Sequence, residues 1–345
     1  MSETLARLSA RPETAAWLDA LDAADASAGS GYPARTIDVP VGAALAGALR
    51  DFGVLEEDIG PIVAALPGQE DDPATHDLAS RTARALVEAM GDLHPAEESG
   101  AAFAIPAWPA ETGPTGRCFA IFAYAAALPH LRSYHRGHGV PDDVTRATVA
   151  DLGRHVLVHR RRYGTVGLEP QGWLSLHLRG LLFQLGRLQF ERATLWERLG
   201  TAVRAAGEPF GPGDPALSVH IPDFSGPLDP TACDAAFARA AAFFPRQFPM
   251  ERHAVAFCAS WLLDPHLAEV LPETSNIVRF QRRFQLAYRT EPDDESTVRF
   301  VFGHVPADLA SLPRETTLQR AVLDHIAAGG HWRGGVGWVR VPDGN

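Results

Sequence analysis

From the start of the chain to about Met90, apolar residues recur at helical spacing: Leu18 and Leu21, then Leu45, Leu49 and Phe52, then Leu78 and Leu86. Gly/Pro-rich breaks at 28–33, 67–73 and 91–100 separate these runs, so the first half reads as mainly α-helical. An Ala-rich apolar helix is predicted over 117–130, ending near Pro129, and another from Asp142 and Asp143 to about Tyr163. The period then changes. In 180–191, Leu181, Phe183 and Leu185 share one parity while Leu188 and Phe190 take the other, and Gly186 at the switch predicts a bulge within a single strand. Residues 195–206 fit helix or loop equally.

The second half alternates strand and helix. The string LSVHIPDFSGPLD predicts a strand over 217–222 followed by a Gly/Pro turn. A helix over 231–244 comes next, with Phe237, Ala240, Ala241 and Phe244 on one stripe between Pro230 and Pro245. AVAFCAS reads as a strand over 254–260, with a helix over 262–271 behind it. A strand is predicted over 277–288, where Phe280, Phe284, Leu286 and Tyr288 alternate with polar residues. Val298, Phe300 and Phe302 repeat that period, and the polar EPDDEST between them predicts an antiparallel hairpin. A helix over 316–328 ends at Gly329 and Gly330, and GVGWVRV closes the chain as a strand.

Composition narrows the function classes. A chain of 345 residues suggests two domains, and 46% apolar with 21% charged residues is a globular balance without any membrane-length apolar run. A formal charge of -11 argues against nucleic acid as the main partner. No lysine occurs, so Schiff-base chemistry and a lysine nucleophile are excluded. Three cysteines without C-x-x-C spacing point to neither a disulfide framework nor a zinc ribbon. The first residues lack a secretory pattern, so a cytoplasmic location is expected, and the Ala/Arg/Pro/Gly-heavy usage suggests a GC-rich bacterial genome.

A strand that ends in a polar residue before a turn and a helix offers backbone N–H groups to an anion. His220 ends that first strand, and its ordinary pKa suits proton transfer near neutrality, which makes it the candidate base; the alternative is a structural histidine. By parity Cys258 and Ser260 share a strand face, so either is a candidate to assist a departing thiolate, and Cys258 to carry an acyl group; the plainer reading of AVAFCAS is an inert core thiol. Trp261 and Asn276 are candidates for the wall and hydrogen bonds of a substrate pocket, and Tyr288 is a further acid candidate. His155 and His159 fall at i and i+4, with His130, His135 and His138 upstream, which raises a metal site, although HVLVH lacks the glutamate of a zinc-hydrolase helix. Arg160, Arg161 and Arg162 read as a helix C-terminus countering its dipole or as a patch for a phosphate or an acidic carrier protein.

The order of strands and helices from 217 onward resembles the second half of the GCN5-related N-acetyltransferase (GNAT) fold. The strings RGLLFQLGRLQFE, LSVHIP, SGPLD, CASWLLDP and SNIVRFQRRF together resemble a bacterial acyltransferase family with a helical N-terminal domain and a GNAT-like C-terminal domain, over roughly residues 35–340. The resemblance implies an α+β chain: a helical domain over 1–165 and, over 166–345, a mixed, mainly antiparallel sheet with flanking helices. It also implies an enzyme that moves an acyl group from a thioester to an amine or hydroxyl by direct attack, with acyl-CoA as co-substrate and no metal.

Carried onto this chain, the GNAT scheme sets the CoA pyrophosphate against Ile221, Ser225, Gly226 and the helix start at Thr231, and makes Glu191 a second base candidate. The plainer reading of Glu191 is a strand-end charge paired with Arg187 or Arg192; Arg187 is itself a candidate substrate contact. The loop departs from the family's spaced glycines. PDFSGPLDP has one glycine, three prolines that remove N–H donors, and Asp223 and Asp229, which repel phosphate. A phosphopantetheine thioester on an acyl carrier protein would tolerate such a loop better. Three rivals remain open at this level: a GNAT-like binding protein without catalysis, a thioester hydrolase using Cys258 with His220, and a metal hydrolase on the His155/His159 face.

Overall fold

The computed structural model describes residues 2–27, 36–94, 97–223 and 225–341. The break expected at 28–33, part of the one at 91–100, and Phe224 of the loop lie outside these residues. The chain divides into two compact units, Met1–Gln184 and Leu185–Asn345, so 166–181 groups with the helical half and the boundary falls within the first strand of the sheet.

The first unit is built of helices: α1 (Glu3–Ser9), α2 (Pro12–Ser27), α3 (Gly42–Asp51), α4 (Glu56–Ala65), α5 (Pro73–Glu88), α6 (Glu97–Phe103), α7 (Gly113–Gly137), α8 (Asp142–Val149), α9 (Asp151–Tyr163) and α10 (Ser175–Leu178). α7 is its axis, buried without a gap from Cys118 to Leu128. Pro129 lies inside it and does not end it. The proline forfeits one i→i−4 bond, but apolar burial resumes at Leu131 and holds the helix on course. The single helix expected over 142–163 is two, broken at Ala150, whose N–H turns back to Arg146 and Thr148. α9 then comes so close to α3's end that a Cβ on Gly153 would meet the Gly53 carbonyl at 2.3 Å.

The strands are β1 (Leu182–Leu185), β2 (Leu188–Thr194), β3 (Pro215–His220), β4 (Val255–Ser260), β5 (Gln285–Pro292) and β6 (Arg333–Arg340), in the sheet order β1-β2-β3-β4-β6-β5. The bulged strand expected over 180–191 is two strands. Gly186, at φ 81°, opens a two-residue turn between them, the left-handed backbone that glycine adopts without strain. Between and beyond the strands lie α11 (Glu197–Ala205), α12 (Pro230–Gln247), α13 (His266–Val270), α14 (Asn276–Gln281), α15 (Asp294–Phe302) and α16 (Thr317–Ala327).

Two expectations fail together. Residues 276–281 are helix α14, so β5 starts only at Gln285, and 294–302 is helix α15, so the hairpin is absent. Asp293 caps α15 by accepting from Ser296 N–H, and β5 pairs with β6 from the far end of the chain. The helix over 262–271 is likewise a 3-10 turn, Trp261–Leu263, followed by α13.

The registers assign each residue of the sheet to a face. Glu191, Ala193, Ala216, Ser218, His220, Val255, Phe257, Ala259, Val336, Trp338 and Tyr288 share one face, where Leu199 and Val203 of α11 complete an apolar cluster. The opposite face carries Phe190, Leu217, Cys258, Ser260, Gly335 and Gly337, and α12 packs on it, Phe237 meeting Phe190 edge-on at 5.4 Å. Burying one such phenylalanine contributes roughly 2–3 kcal/mol. β6 needs its glycines there: a Cβ on Gly335 would lie 2.5 Å from the Leu263 carbonyl oxygen. The wholly buried Asp264 ties the sheet's end together, accepting from the N–H groups of Arg333 at 2.8 Å and His266 at 3.1 Å and from the Arg289 guanidinium at 3.0 Å.

Candidate active site

His220 ends β3, and antiparallel pairing with β2 sets Gln189 opposite it and Glu191 opposite Ser218. Glu191 and His220 are therefore diagonal neighbours on one face, within side-chain reach. His220 Nε2 lies 2.7 Å from Glu191 Oε2, with the two side chains 24% and 18% exposed, so the pair is sheltered yet reachable. A carboxylate cannot donate, so the Nε2–H of His220 donates in that hydrogen bond.

Beside this pair the sheet parts. β3 and β4 run parallel, and their register holds Leu217 to Ala256 and Ser218 to Phe257. Beyond those residues β3 stays paired to β2 as far as His220, and β4 to β6 as far as Ser260, each on its outer side. Two parallel strands that part at their C-terminal ends leave a slot with backbone on both walls, and His220 stands on one lip.

The loop after β3 is held from below. Arg187, 8% exposed, donates from Nε to Pro227 O and from Nη1 to Pro222 O, both at 3.0 Å, and its burial draws its pKa below the ordinary arginine value. Arg187 thus spans the loop as a brace, and neither it nor Arg192 pairs with Glu191. Asp229 caps α12, accepting from Thr231 N–H at 2.9 Å and Ala232 N–H at 3.1 Å. The N–H of Thr231 is accordingly engaged by the cap. Gly226 takes φ 78° in the exposed part of the loop, with Ile221 and Ser225 half-buried before it. Arg283 pairs with Asp234 and donates to Pro230 O at 2.9 Å, so two guanidinium groups attend the helix start and offset the loop's carboxylates.

The remaining candidates part company. Cys258 lies on the face opposite His220, 1% exposed, and burial pushes its thiol up to about 12; a cysteine–histidine pair is not assembled. Ser260 shares that face and caps the 3-10 turn, its Oγ accepting from Leu262 N–H at 3.2 Å. Trp261 stacks on Phe300 at 6.5 Å, and Asn276 opens α14 behind its cap, Ser275. Tyr288, on the His220 face, accepts a hydrogen bond from Trp196 Nε1–H at 2.7 Å. Trp196 and Arg198, in the segment whose pattern fitted helix or loop, were not singled out by sequence; a tryptophan directly before an amphipathic helix was the available signal.

Two family models divide the chain within a few residues of where the units do: an N-acyltransferase N-terminal domain matches residues 43–180 and a GNAT-like C-terminal domain matches 182–339. Solved structures match along the whole chain. An acyltransferase in complex with decanoyl-CoA and teicoplanin is 37% identical over 96% of each chain, with a TM-score of 0.81. The chain belongs to this family of acyltransferases. A mutant acyltransferase with octanoyl-CoA (37% identity, TM-score 0.82) and an acyltransferase with CoA and 10C-teicoplanin (37%, 0.82) also match over 96% of each chain. Among curated protein sequences none matches.

As a member of this family the chain is an enzyme, a GNAT-like acyltransferase of α+β fold, and the His220–Glu191 pair lies in its GNAT-like domain. Three of the candidate histidines of the N-acyltransferase domain have local partners. His135 Nδ1 lies 2.9 Å from Thr145 Oγ1, and burial, with the His138 charge, lowers its pKa to about 4. His159 Nδ1 meets Thr165 O at 2.9 Å, while His155 and the buried His177 flank Asp151. Among the described residues no group of three or more His, Cys, Asp or Glu converges as a metal cage. Arg160 pairs with Glu57 and Asp58, and Arg162 with Glu169, which accounts for two of the three arginines ending α9. No helix among the described residues is long and apolar enough to cross a membrane.

Proposed function

We propose that this acyltransferase moves a fatty acyl group from CoA to an amine or hydroxyl of a small-molecule acceptor, with His220 as general base and Glu191 as the residue that orients and charges it. The observation that carries the reading is the 2.7 Å His220–Glu191 hydrogen bond on the lip of the β3/β4 slot. The thioester's extended arm lies in the slot as a partial strand, hydrogen-bonding to backbone on both walls and aiming the carbonyl carbon at the His220 side. Nδ1 takes the acceptor's proton as its nitrogen or oxygen attacks, and Glu191 stabilises the imidazolium that forms. Backbone N–H groups at the slot receive the oxyanion, and the CoA thiolate leaves on collapse of the tetrahedral intermediate.

CoA rather than a carrier protein as donor is supported by the acyl-CoA bound in the similar enzymes. Arg187 and Arg283 at the start of α12 are the residues we assign to offset Asp223 and Asp229 there, with Ile221, Ser225, Gly226 and Thr231 around the pyrophosphate. Teicoplanin in two of those complexes supports a large acceptor of that kind. An acyl-CoA donor agrees with a cytoplasmic location.

The test is acyl transfer from decanoyl-CoA, followed by thiol release and product mass. His220→Ala should lose about 10²–10⁴-fold in kcat, the usual contribution of a general base. Folded His220→Ala turning over at the wild-type rate would remove the assignment.

A further inference from the structure

We infer that Gln281 is a positioning residue for the acyl donor: with Arg283 it forms a clasp that joins the end of the β4 wall to the start of α12, where the chain leaving β3 arrives, and so fixes the slot's spacing for the thioester's arm. This rests on the reading of the slot as the donor's place, and concerns a residue that does not touch the reacting atoms.

The slot sets a mechanical problem. An extended arm bonded to backbone on both sides needs the walls two strand spacings apart, roughly 9.5 Å. β3 and β4 pair at Leu217 with Ala256 and at Ser218 with Phe257, and beyond that each wall is braced on its outer side, β3 by β2 and β4 by β6. Outer bracing fixes a wall's direction but not its distance from the other wall. Hydrogen bonds to the arm hold over only a few tenths of an ångström, so that distance needs a tie of its own.

The segment that ends α14 supplies it. Gln281 Nε2 donates to Asp264 O at 2.7 Å and to Leu262 O at 3.3 Å, in the turn that follows Ser260 at the end of β4. Two carbonyl acceptors take up both N–H groups of the amide. Two residues on, Arg283 donates from Nη2 to Pro230 O at 2.9 Å and pairs with Asp234, both at the start of α12.

The clasp is stiff between its two grips. Helical turning continues past α14, with Arg282 N–H donating to Val278 O at 3.0 Å, Arg283 N–H to Phe280 O at 3.1 Å and Phe284 N–H to Gln281 O at 3.1 Å. Val278, Phe280 and Phe284 are buried and anchor it. Phe284 is wedged between α12 and the sheet: its ring lies 6.3 Å from that of Phe237, and a Cβ on Gly337 of β6 would come within 2.9 Å of its own Cβ. A segment packed this closely cannot slide without opening voids. Releasing its β4 grip lets the walls shift while the His220–Glu191 pair, carried by β2 and β3, stays assembled. The loss therefore falls on donor binding. Arg283 also carries the charge assigned to the phosphates, whereas Gln281 is uncharged and isolates the positioning effect.

The experiment measures donor dissociation constants by calorimetry for the full chain, with decanoyl-CoA and with decanoyl-pantetheine, which has the same arm and no nucleotide. Gln281→Met, which loses both N–H groups, should raise Kd at least fivefold for both donors, by factors that agree within twofold. Gln281→Glu, which sets a carboxylate against the two carbonyls, should do the same and carries the comparison if the methionine variant does not fold. Unfolded protein in a preparation alters the stoichiometry and not Kd, so a merely structural glutamine would lower Tm and leave both constants unchanged. A folded variant whose Kd values stay within twofold of wild type overturns the proposal. Weakened decanoyl-CoA with unchanged decanoyl-pantetheine also overturns it, because the effect then reaches the nucleotide rather than the arm. Wild type that binds decanoyl-CoA but not decanoyl-pantetheine removes the arm's hold on the slot and the clasp with it, leaving acyl transfer standing; wild type that binds neither donor overturns the reading underneath.

Discussion

Two glutamate–histidine pairs occupy the same sheet domain, and their surroundings give them different work. Glu191 and His220 meet at 2.7 Å on the lip of the slot, part-exposed, with no arginine among the described residues against the carboxylate. Glu251, its side chain 20% exposed, and the buried His253 meet at 3.0 Å, where Arg192, only 3% exposed, grips Glu251 with two guanidinium N–H groups and lies 4.0 Å over the Phe248 ring. Burial works to raise the Glu251 pKa, but hydrogen bonds and charge from Arg192 and His253 outweigh it and hold it at about 2. The lesson is that the residue pair does not set the role. A carboxylate committed to a buried arginine is a structural tie, whereas one paired with an accessible imidazole can respond to a proton arriving there.

The sharpest way to break the comparison is to remove each histidine or its partner in turn. His220→Ala should cost about 10²–10⁴-fold in kcat with little change in Tm. Arg192→Met should do the reverse, lowering stability by about 1.5–3 kcal/mol in urea unfolding because it removes the charge-assisted hydrogen bonds that hold the half-buried Glu251, while the slot residues stay in place. Equal loss of activity and stability in both variants would erase the distinction.

The next effect is in pH. Glu251 has an ordinary value of 4.5 and a folded value of about 2, so its contribution is fully present above 4.5 and is lost as the pH falls towards 2. That difference is worth about 3 kcal/mol. Urea midpoints of wild type should fall over this window more steeply than those of Glu251→Gln; parallel curves would contradict the tie. The smallest effect concerns Cys258. Cys258→Ala should retain activity within about threefold and the native thiol should resist iodoacetamide, since burial holds it neutral. Rapid alkylation together with loss of turnover would restore the covalent route.

How much of this the sequence disclosed depends on how local each signal was. α12, β3, β4, α16 and β6 were legible because caps, prolines and periodicity lie within their own residues; Thr316 and Gln319, for instance, form a reciprocal capping box at α16. β5 and α15 were misread because short apolar alternation fits both periods. Val298 and Phe302 are four apart on one helix, and Phe300, which made the pattern look like a strand, is 61% exposed. What fixes β5 is pairing with β6, about forty residues on, which no window contains.

The site divides the same way. His220 could be found from its place at a strand end. Its contact with Glu191, and its separation from Cys258 and Ser260 by the thickness of the sheet, follow only from registers between strands. Arg187 illustrates the limit: nothing near it in sequence shows that it would brace the Pro222 and Pro227 carbonyls rather than pair with Glu191.

The central claim is that the imidazole of His220 takes the proton, and chemical rescue tests it most directly. In single turnovers with decanoyl-CoA bound, folded His220→Ala should be slow by about 10²–10⁴-fold, and added imidazole should restore part of the rate in proportion to its concentration. Transfer by His220→Ala within about threefold of wild type, with no response to imidazole, would contradict the account.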